Sequence, residues 1–129
     1  MKRQDMFDTM VRHLYSMDGP SKRHPNNKES LECAYRSPDG SKCAIGILIP
    51  DDMYNPCMEG CSIKMLMDES LYYRRFFGCK NENFLADMQS LHDDYMNFRR
   101  GQSDYNYLSN VAEEYNLNKK VLDNVYGVV

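Results

Sequence analysis

The five residues from Ser37 to Ser41 reverse the direction of the chain. Pro38 presets the φ angle required at the first central position of a type I turn, and Gly40 supplies the positive φ needed where the turn ends. Short apolar segments flank this turn on both sides. The pattern predicts a β-hairpin over residues 31–49, with Ser37 facing Ser41.

The predicted register divides the hairpin into two faces, because successive side chains of a strand point to opposite sides. One face is apolar and pairs Tyr35 with Cys43, Cys33 with Ile45, and Leu31 with Ile47. The other face pairs Arg36 with Lys42, Ala34 with Ala44, and Glu32 with Gly46. Its small residues leave a shallow strip beside the two basic side chains, which fits either a packed helix or a planar, anionic ligand. Of the two, we expect the helix.

Apolar residues recur at helical spacing along most of the remaining chain. The periodicity predicts helices over residues 3–17, 62–77, 82–98, 103–115 and 118–126, with a short turn or helix after Pro50. We therefore expect an α+β fold, mainly α, in which four to five helices pack around one β-hairpin at residues 31–49. Residues 1–129 are expected to form a single compact domain, because a chain of this length buries one core.

Composition and charge restrict the classes of partner. The formal net charge is −3 and the pI is about 5.6, so nucleic-acid binding needs a local basic patch. The first residues lack the pattern of a signal peptide, and no apolar run reaches the ~20 residues of a membrane span. The sequence predicts a cytoplasmic protein that binds proteins or small ligands, with no membrane partner.

The segment from Cys33 to Tyr54 carries a recognisable pattern of residues. The pattern consists of Cys33, Tyr35, Arg36, Pro38, Asp39, Gly40, Lys42, Cys43, Ala44, Gly46, Leu48, Ile49, Pro50, Asp51 and Tyr54. It resembles a block found in small proteins encoded by bacteriophages and prophages. The resemblance implies an accessory protein that acts on host machinery or host defence, in the cytoplasm of the host cell. It carries over no catalytic residues.

Cysteine and histidine are the residue types in this sequence that could form a catalytic or zinc site. The five cysteines are an odd number and favour reduced thiols. Zinc sites are usually announced by closely spaced ligand pairs, and Cys57 with Cys61 is the one such pair. His92 lies on the apolar stripe of its predicted helix, and Asp93 points about 100° away from it, so the two do not form a base with its orienting carboxylate. We expect no enzyme, metal or cofactor; a cysteine-dependent or zinc-containing enzyme is an alternative.

A second alternative is a DNA-binding protein. Residues 108–126 approximate a helix-turn-helix, with Lys119, Lys120 and Asn124 facing outward on the second helix. Acidic neighbours and the acidic pI oppose this interpretation. A plain helical hairpin that closes the core explains the same apolar residues.

Residues 72–77 place four aromatic and two basic side chains in about one and a half helical turns, and not all of them can point inward. Tyrosine and arginine are favoured at protein interfaces. The leading hypothesis is a binding protein that occupies a host protein or sequesters a small-molecule signal, with a homo-oligomer also considered. The candidate binding residues are Tyr35, Arg36, Lys42, Asp51, Tyr54, Tyr73, Arg74, Arg75 and His92.

Overall fold

The computed structural model describes residues 1–17, 34–93 and 102–127, and within these the side chains of 1–17, 34–90 and 105–127. The described residues form six α-helices and three short 3-10 helices. The α-helices are α1 (Arg3–Ser16), α2 (Ile63–Glu69), α3 (Leu71–Phe77), α4 (Glu82–Asp93), α5 (Gln102–Glu114) and α6 (Lys120–Tyr126). The 3-10 helices span Gly46–Leu48, Pro56–Met58 and Cys79–Asn81.

The first and last helices pack against each other. Helix α1 contacts α6 and the 3-10 helix at Gly46–Leu48, while α4 contacts α2 and α5. The side-chain amide of Gln4 fastens α1 to the segment before α6, because its oxygen accepts from the Asn118 N–H at 2.7 Å and its nitrogen donates to the Asn118 carbonyl at 3.1 Å. The largest fully buried side chains are Phe7, Phe77, Phe84, Met6, Met10, Ile45, Ile63, Met67, Leu85, Met88, Leu108 and Leu122.

The predicted helix over residues 62–77 is two helices that meet at Ser70. Ser70 has an extended backbone (φ −124°, ψ 114°), which ends α2. Its hydroxyl oxygen then accepts from the Tyr73 N–H at 3.4 Å and caps the start of α3. Serine favours this position because its side chain replaces a backbone partner that the first helical turn lacks. The apolar periodicity continues across the joint, so it does not reveal the break.

The predicted α+β fold with a β-hairpin is wrong, because the described chain is mainly helical and contains no sheet. Among the described residues, antiparallel pairing is limited to one bridge between Arg36 and Lys42. Two hydrogen bonds flank this bridge, from Ser37 N–H to the Ser41 carbonyl (2.8 Å) and from Cys43 N–H to the Tyr35 carbonyl (3.3 Å). The expected pairs of Leu31 and Cys33 lie outside the described residues.

The chain leaves the extended conformation directly after Cys43. The Ile47 N–H donates to the Cys43 carbonyl at 3.0 Å, a helical contact, and a 3-10 helix follows. Gly46 permits this path because it lies against the Tyr35 backbone: a Cβ atom at position 46 would stand 2.0 Å from the Tyr35 carbonyl oxygen. The apolar segment after Cys43 therefore turns into the helical core instead of forming a second strand.

Helix α5 ends in a Schellman motif. Asn116 adopts the left-handed conformation (φ 56°), the Asn116 N–H donates to the Glu113 carbonyl at 3.2 Å, and the Leu117 N–H donates to the Ala112 carbonyl at 2.7 Å. Asparagine takes this conformation more readily than most residues. The motif reverses the direction of the chain before α6 begins at Lys120.

Among the described helices, none has both the length and the apolar character that crossing a membrane requires.

Candidate functional site

The carboxylate of Glu59 organises the segment that contains most of the expected binding residues. One oxygen accepts from the Tyr35 N–H at 2.9 Å. The other accepts from the Arg36 N–H at 3.1 Å and from the Tyr54 hydroxyl at 2.7 Å. A single carboxylate thus accepts three hydrogen bonds, two from backbone N–H groups and one from a phenol. Such hydrogen bonds to a charged group are strong. Glu59 joins residues 35–36 to the loop that holds Tyr54.

Arg36 lies over this loop and is only partly satisfied. Its Nη2 donates to the Ile49 carbonyl at 2.8 Å and forms an ion pair with Asp51 at 2.8 Å. The Tyr54 ring covers the guanidinium, with 4.7 Å between Cζ and the ring centroid. Its Nε is buried without a hydrogen-bond acceptor. The side chain of Arg36 is 20% exposed, whereas that of Asp51 is 90% exposed, so the arginine is anchored and its carboxylate partner is not.

The environment of Tyr54 favours its protonated form. Burial, the hydrogen bond to Glu59 and the negative charge of Glu59 together raise the pKa of Tyr54 to about 12. The nearby Arg36 guanidinium opposes this shift but does not cancel it. Tyr54 therefore acts as a hydrogen-bond donor to Glu59 at neutral pH, not as a base.

Tyr35 points into the core. Its hydroxyl donates to the Cys61 carbonyl at 2.7 Å and accepts from the Gln89 amide at 3.0 Å. The Gln89 oxygen accepts from the Ile63 N–H at 2.9 Å and so satisfies the first residue of α2. Tyr35 is buried, and these contacts show that it fixes the start of α2 from within. Its burial agrees with the apolar face on which the sequence placed it, and its role as a binding residue stays a prediction.

Lys42 stands beside Arg36 across the bridge. Its carbonyl oxygen lies 2.5 Å from Nε2 of His13, which places a proton on that nitrogen because a carbonyl only accepts. The half-buried Lys42 side chain forms no ion pair with any residue that the structure describes. Four of the expected binding residues, Arg36, Lys42, Asp51 and Tyr54, are therefore brought together at one surface.

Helix α3 uses two of the three expected binding residues internally. The Tyr73 hydroxyl donates to the Met53 carbonyl at 2.9 Å. Arg74 donates to the carbonyls of Met67 (2.8 Å) and Asp68 (2.7 Å), which are unpaired groups at the end of α2. Both side chains therefore fix α3 against its neighbours. Arg75, the third, is exposed.

The opposite side of α3 faces solvent and is largely apolar. Leu71 is 53% exposed and Tyr72 is 60% exposed, and they share this side with Arg75 and the partly buried Phe76. Residues three and four positions apart in a helix are neighbours, so these side chains form one patch. We call Leu71, Tyr72, Arg75 and Phe76 the α3 outer surface.

In the described parts of the chain, the histidine and cysteine side chains do not come together to form a catalytic or metal site. The side chain of His92 and all of Cys33 lie outside the described residues. Cys43 is buried, Cys61 is partly buried, and Cys57 and Cys79 are exposed. Among the described side chains, no three His, Cys, Asp or Glu residues group to hold a metal ion. The cysteine-dependent or zinc-containing enzyme stays an untested alternative.

The two C-terminal helices form a helical hairpin that packs on α1. Lys119, expected to face DNA, pairs with Glu113. Lys120 and Asn124 are exposed, as are the acidic residues Glu114 and Asp123 beside them. The exposed side of this hairpin therefore mixes both signs of charge. DNA binding stays a prediction that no contact in this hairpin specifically favours.

Glu59 and Gln89 were not among the candidate binding residues, although both carry signals. Glu59 is an acidic residue five positions after the end of the predicted binding segment, directly after the 3-10 helix at Pro56–Met58. Gln89 is a polar residue among the apolar positions of α4, beside Met88. A polar side chain at a core position needs a buried partner, and the first N–H of a nearby helix is a common one.

No protein family, no curated protein and no solved structure matches this chain. The comparisons therefore lend no support to the expected bacteriophage origin or to a viral or counter-defence role.

Proposed function

We propose that the protein is a binding protein and that its α3 outer surface contacts a partner protein. The observation that carries this proposal is the exposure of Leu71 and Tyr72 side by side on one helix. Single exposed apolar residues are ordinary on protein surfaces. Here Leu71 and Tyr72 lie on the same outer side of α3, where Arg75 is a neighbour of both and Phe76 is one helical turn from Tyr72, so the four side chains form one patch.

The composition of the patch matches that of an interface core. Tyrosine and arginine are enriched among residues that dominate binding energy. Covering a side chain of the size of Leu71 removes apolar area from water and contributes about 1.5–3 kcal/mol when burial is complete. Arg75 adds one positive charge to the patch, which favours a carboxylate of the partner opposite it.

Helix α3 is also held rigidly. Phe77 is fully buried, Tyr73 is tied to the Met53 carbonyl, and Arg74 is tied to the end of α2. A surface that is already ordered loses little conformational entropy on binding. The internal use of Tyr73 and Arg74 therefore supports the neighbouring outer residues as the contact residues.

The proposal is tested by placing a photo-cross-linking amino acid at position 72 of the tagged protein in its natural host cell. We expect a discrete cross-linked partner from position 72, and no such product from the control position 65, where the exposed Met65 lies on α2. The double substitution Leu71→Ser and Tyr72→Ser should abolish co-purification of that partner. Equal co-purification by the double variant would contradict the proposal.

The same experiment separates a second copy from a different protein. If the partner is another copy of this chain, the wild type will elute as an oligomer and the double variant as a smaller species. A host protein as the target and a cytoplasmic location stay predictions, which the identity of the cross-linked partner tests. An activity screen of the same purified protein tests the enzyme alternative.

A further inference from the structure

The antiparallel bridge sets the backbones of Arg36 and Lys42, two basic residues, directly opposite each other. The hydrogen bonds on either side of their bridge make them a non-hydrogen-bonded pair, the arrangement in which opposed Cα atoms are only about 4.5 Å apart. Their side chains therefore leave the backbone on the same face. Like charges directly opposite each other destabilise such a pair unless an anion lies between them.

The carboxylates in the neighbourhood leave this pair incompletely neutralised. Both oxygens of Glu59 accept from backbone N–H groups, and one also accepts from Tyr54. Asp51 pairs with Arg36, but its side chain is 90% exposed, and an exposed ion pair of this kind is weak. Lys42 has no ion pair with a described residue, so Asp51 is the one described carboxylate that pairs with either cation.

We propose that Arg36 and Lys42 bind a phosphate group of a small molecule, and that Asp51 occupies part of this site when the ligand is absent. A dianionic phosphate neutralises both cations, and its tetrahedral oxygens reach two donors at once. A single carboxylate would only replace Asp51 with the same charge. The exposed Asp39 and Asp52 oppose any anion, so the competition with Asp51 decides the affinity.

The Arg36 guanidinium is already held in position before any ligand binds. The Ile49 carbonyl and the Tyr54 ring hold the guanidinium in place, and Tyr54 is itself held by Glu59. The Asp51 side chain is 90% exposed, so it can turn toward solvent while the Asp51 carbonyl keeps its contact with the Tyr54 N–H at 3.4 Å. The site is distinct from the α3 outer surface, so the two proposals fail or succeed separately.

The test is calorimetric titration with inorganic phosphate at constant ionic strength, with acetate and sulfate as comparison anions. Asp51→Asn should bind phosphate about fivefold more tightly than the wild type, because it removes a weak competing ion pair. Lys42→Ala should weaken phosphate binding at least about tenfold. The control Lys64→Ala, an exposed lysine on α2, should leave the affinity unchanged.

Thermal melts of all variants check that they are folded. Phosphate bound more tightly than acetate by the wild type, and further strengthened in Asp51→Asn, would support the proposal. Equal losses in Lys42→Ala and Lys64→Ala would show diffuse attraction and overturn it. So would unchanged affinity in Asp51→Asn, or no saturable phosphate binding by that variant.

Discussion

The hydroxyl of Tyr54 donates a 2.7 Å hydrogen bond to the Glu59 carboxylate, which at the same time accepts the N–H groups of Tyr35 and Arg36. This contact couples a phenol that covers Arg36 to the backbone that carries Arg36. The position of the guanidinium therefore depends on a residue that does not touch its nitrogens.

Replacing Glu59 with glutamine should destabilise the fold by about 2–4 kcal/mol, because three donors lose a charged acceptor and the new amide group faces some of them with a donor. Urea unfolding measures the loss. Glu69→Gln, at an exposed position of α2, is the matched control and should change stability by less than about 0.5 kcal/mol. Similar values for the two variants would mean that the three hydrogen bonds are not formed in solution.

Titration of Tyr54 should occur well above the usual range, near the raised pKa of about 12. An unfolded tyrosine deprotonates near 10, so the folded state holds this proton more firmly. The stabilising contribution is complete below pH 10 and is lost as the pH rises from about 10 to 12. The difference in tyrosinate absorbance between the wild type and Tyr54→Phe isolates this group. A midpoint near 10 in that difference would contradict the burial and hydrogen bonding described.

Gly46→Ala should be among the most damaging small substitutions in the chain. The added Cβ atom would stand 2.0 Å from the Tyr35 carbonyl oxygen, and a backbone atom cannot move aside alone. We expect a loss of about 3 kcal/mol by urea unfolding. Gly40→Ala is the comparison, because it meets no atom within 4 Å and suffers only from its positive φ of 92°, a cost of about 1 kcal/mol. A smaller loss for Gly46→Ala than for Gly40→Ala would refute the steric account.

Helical periodicity predicted most of the helices, because each buries one side and the apolar residues repeat accordingly. Helix α1 begins at Arg3, as expected, and α4 begins at Glu82. The turn at Pro38 and Gly40 was also recognisable, and Arg36 does face Lys42. The hairpin failed because a turn signal fixes only the residues beside it. Whether pairing continues depends on tertiary contacts, here the approach of Gly46 to Tyr35.

The candidate site was predictable only in part. Arg36, Lys42, Asp51 and Tyr54 meet at one surface, but their joint partner Glu59 comes from a loop with no local pattern. On α3, the sequence showed many aromatic and basic residues but did not show which of these side chains face solvent. Which side chains of α3 point inward is decided by contacts with other segments. The Met53 carbonyl accepts from Tyr73 and the Met67 carbonyl accepts from Arg74.

Asn116, which has a left-handed backbone conformation in the turn between α5 and α6, allows a prediction for two substitutions with different outcomes. Asn116→Gly should be neutral or slightly stabilising in thermal unfolding, because glycine adopts the left-handed conformation without strain. Asn116→Ala should cost about 1 kcal/mol, since its Cβ disfavours that conformation and it has no polar side chain to compensate. The reverse order of the two variants would show that the Asn116 side chain, and not its backbone, determines the turn.

The two hydrogen bonds between Gln4 and Asn118 have a consequence for synthesis of the chain. The two residues are 114 positions apart, so α1 leaves the ribosome roughly 6 to 23 seconds before the segment it binds, at about 5–20 residues per second. During that interval the apolar side of α1 that packs on α6 is uncovered. A nascent chain stalled before residue 118 therefore leaves these apolar side chains of the α1 segment without their α6 partners, and closure of the core is a late event of translation.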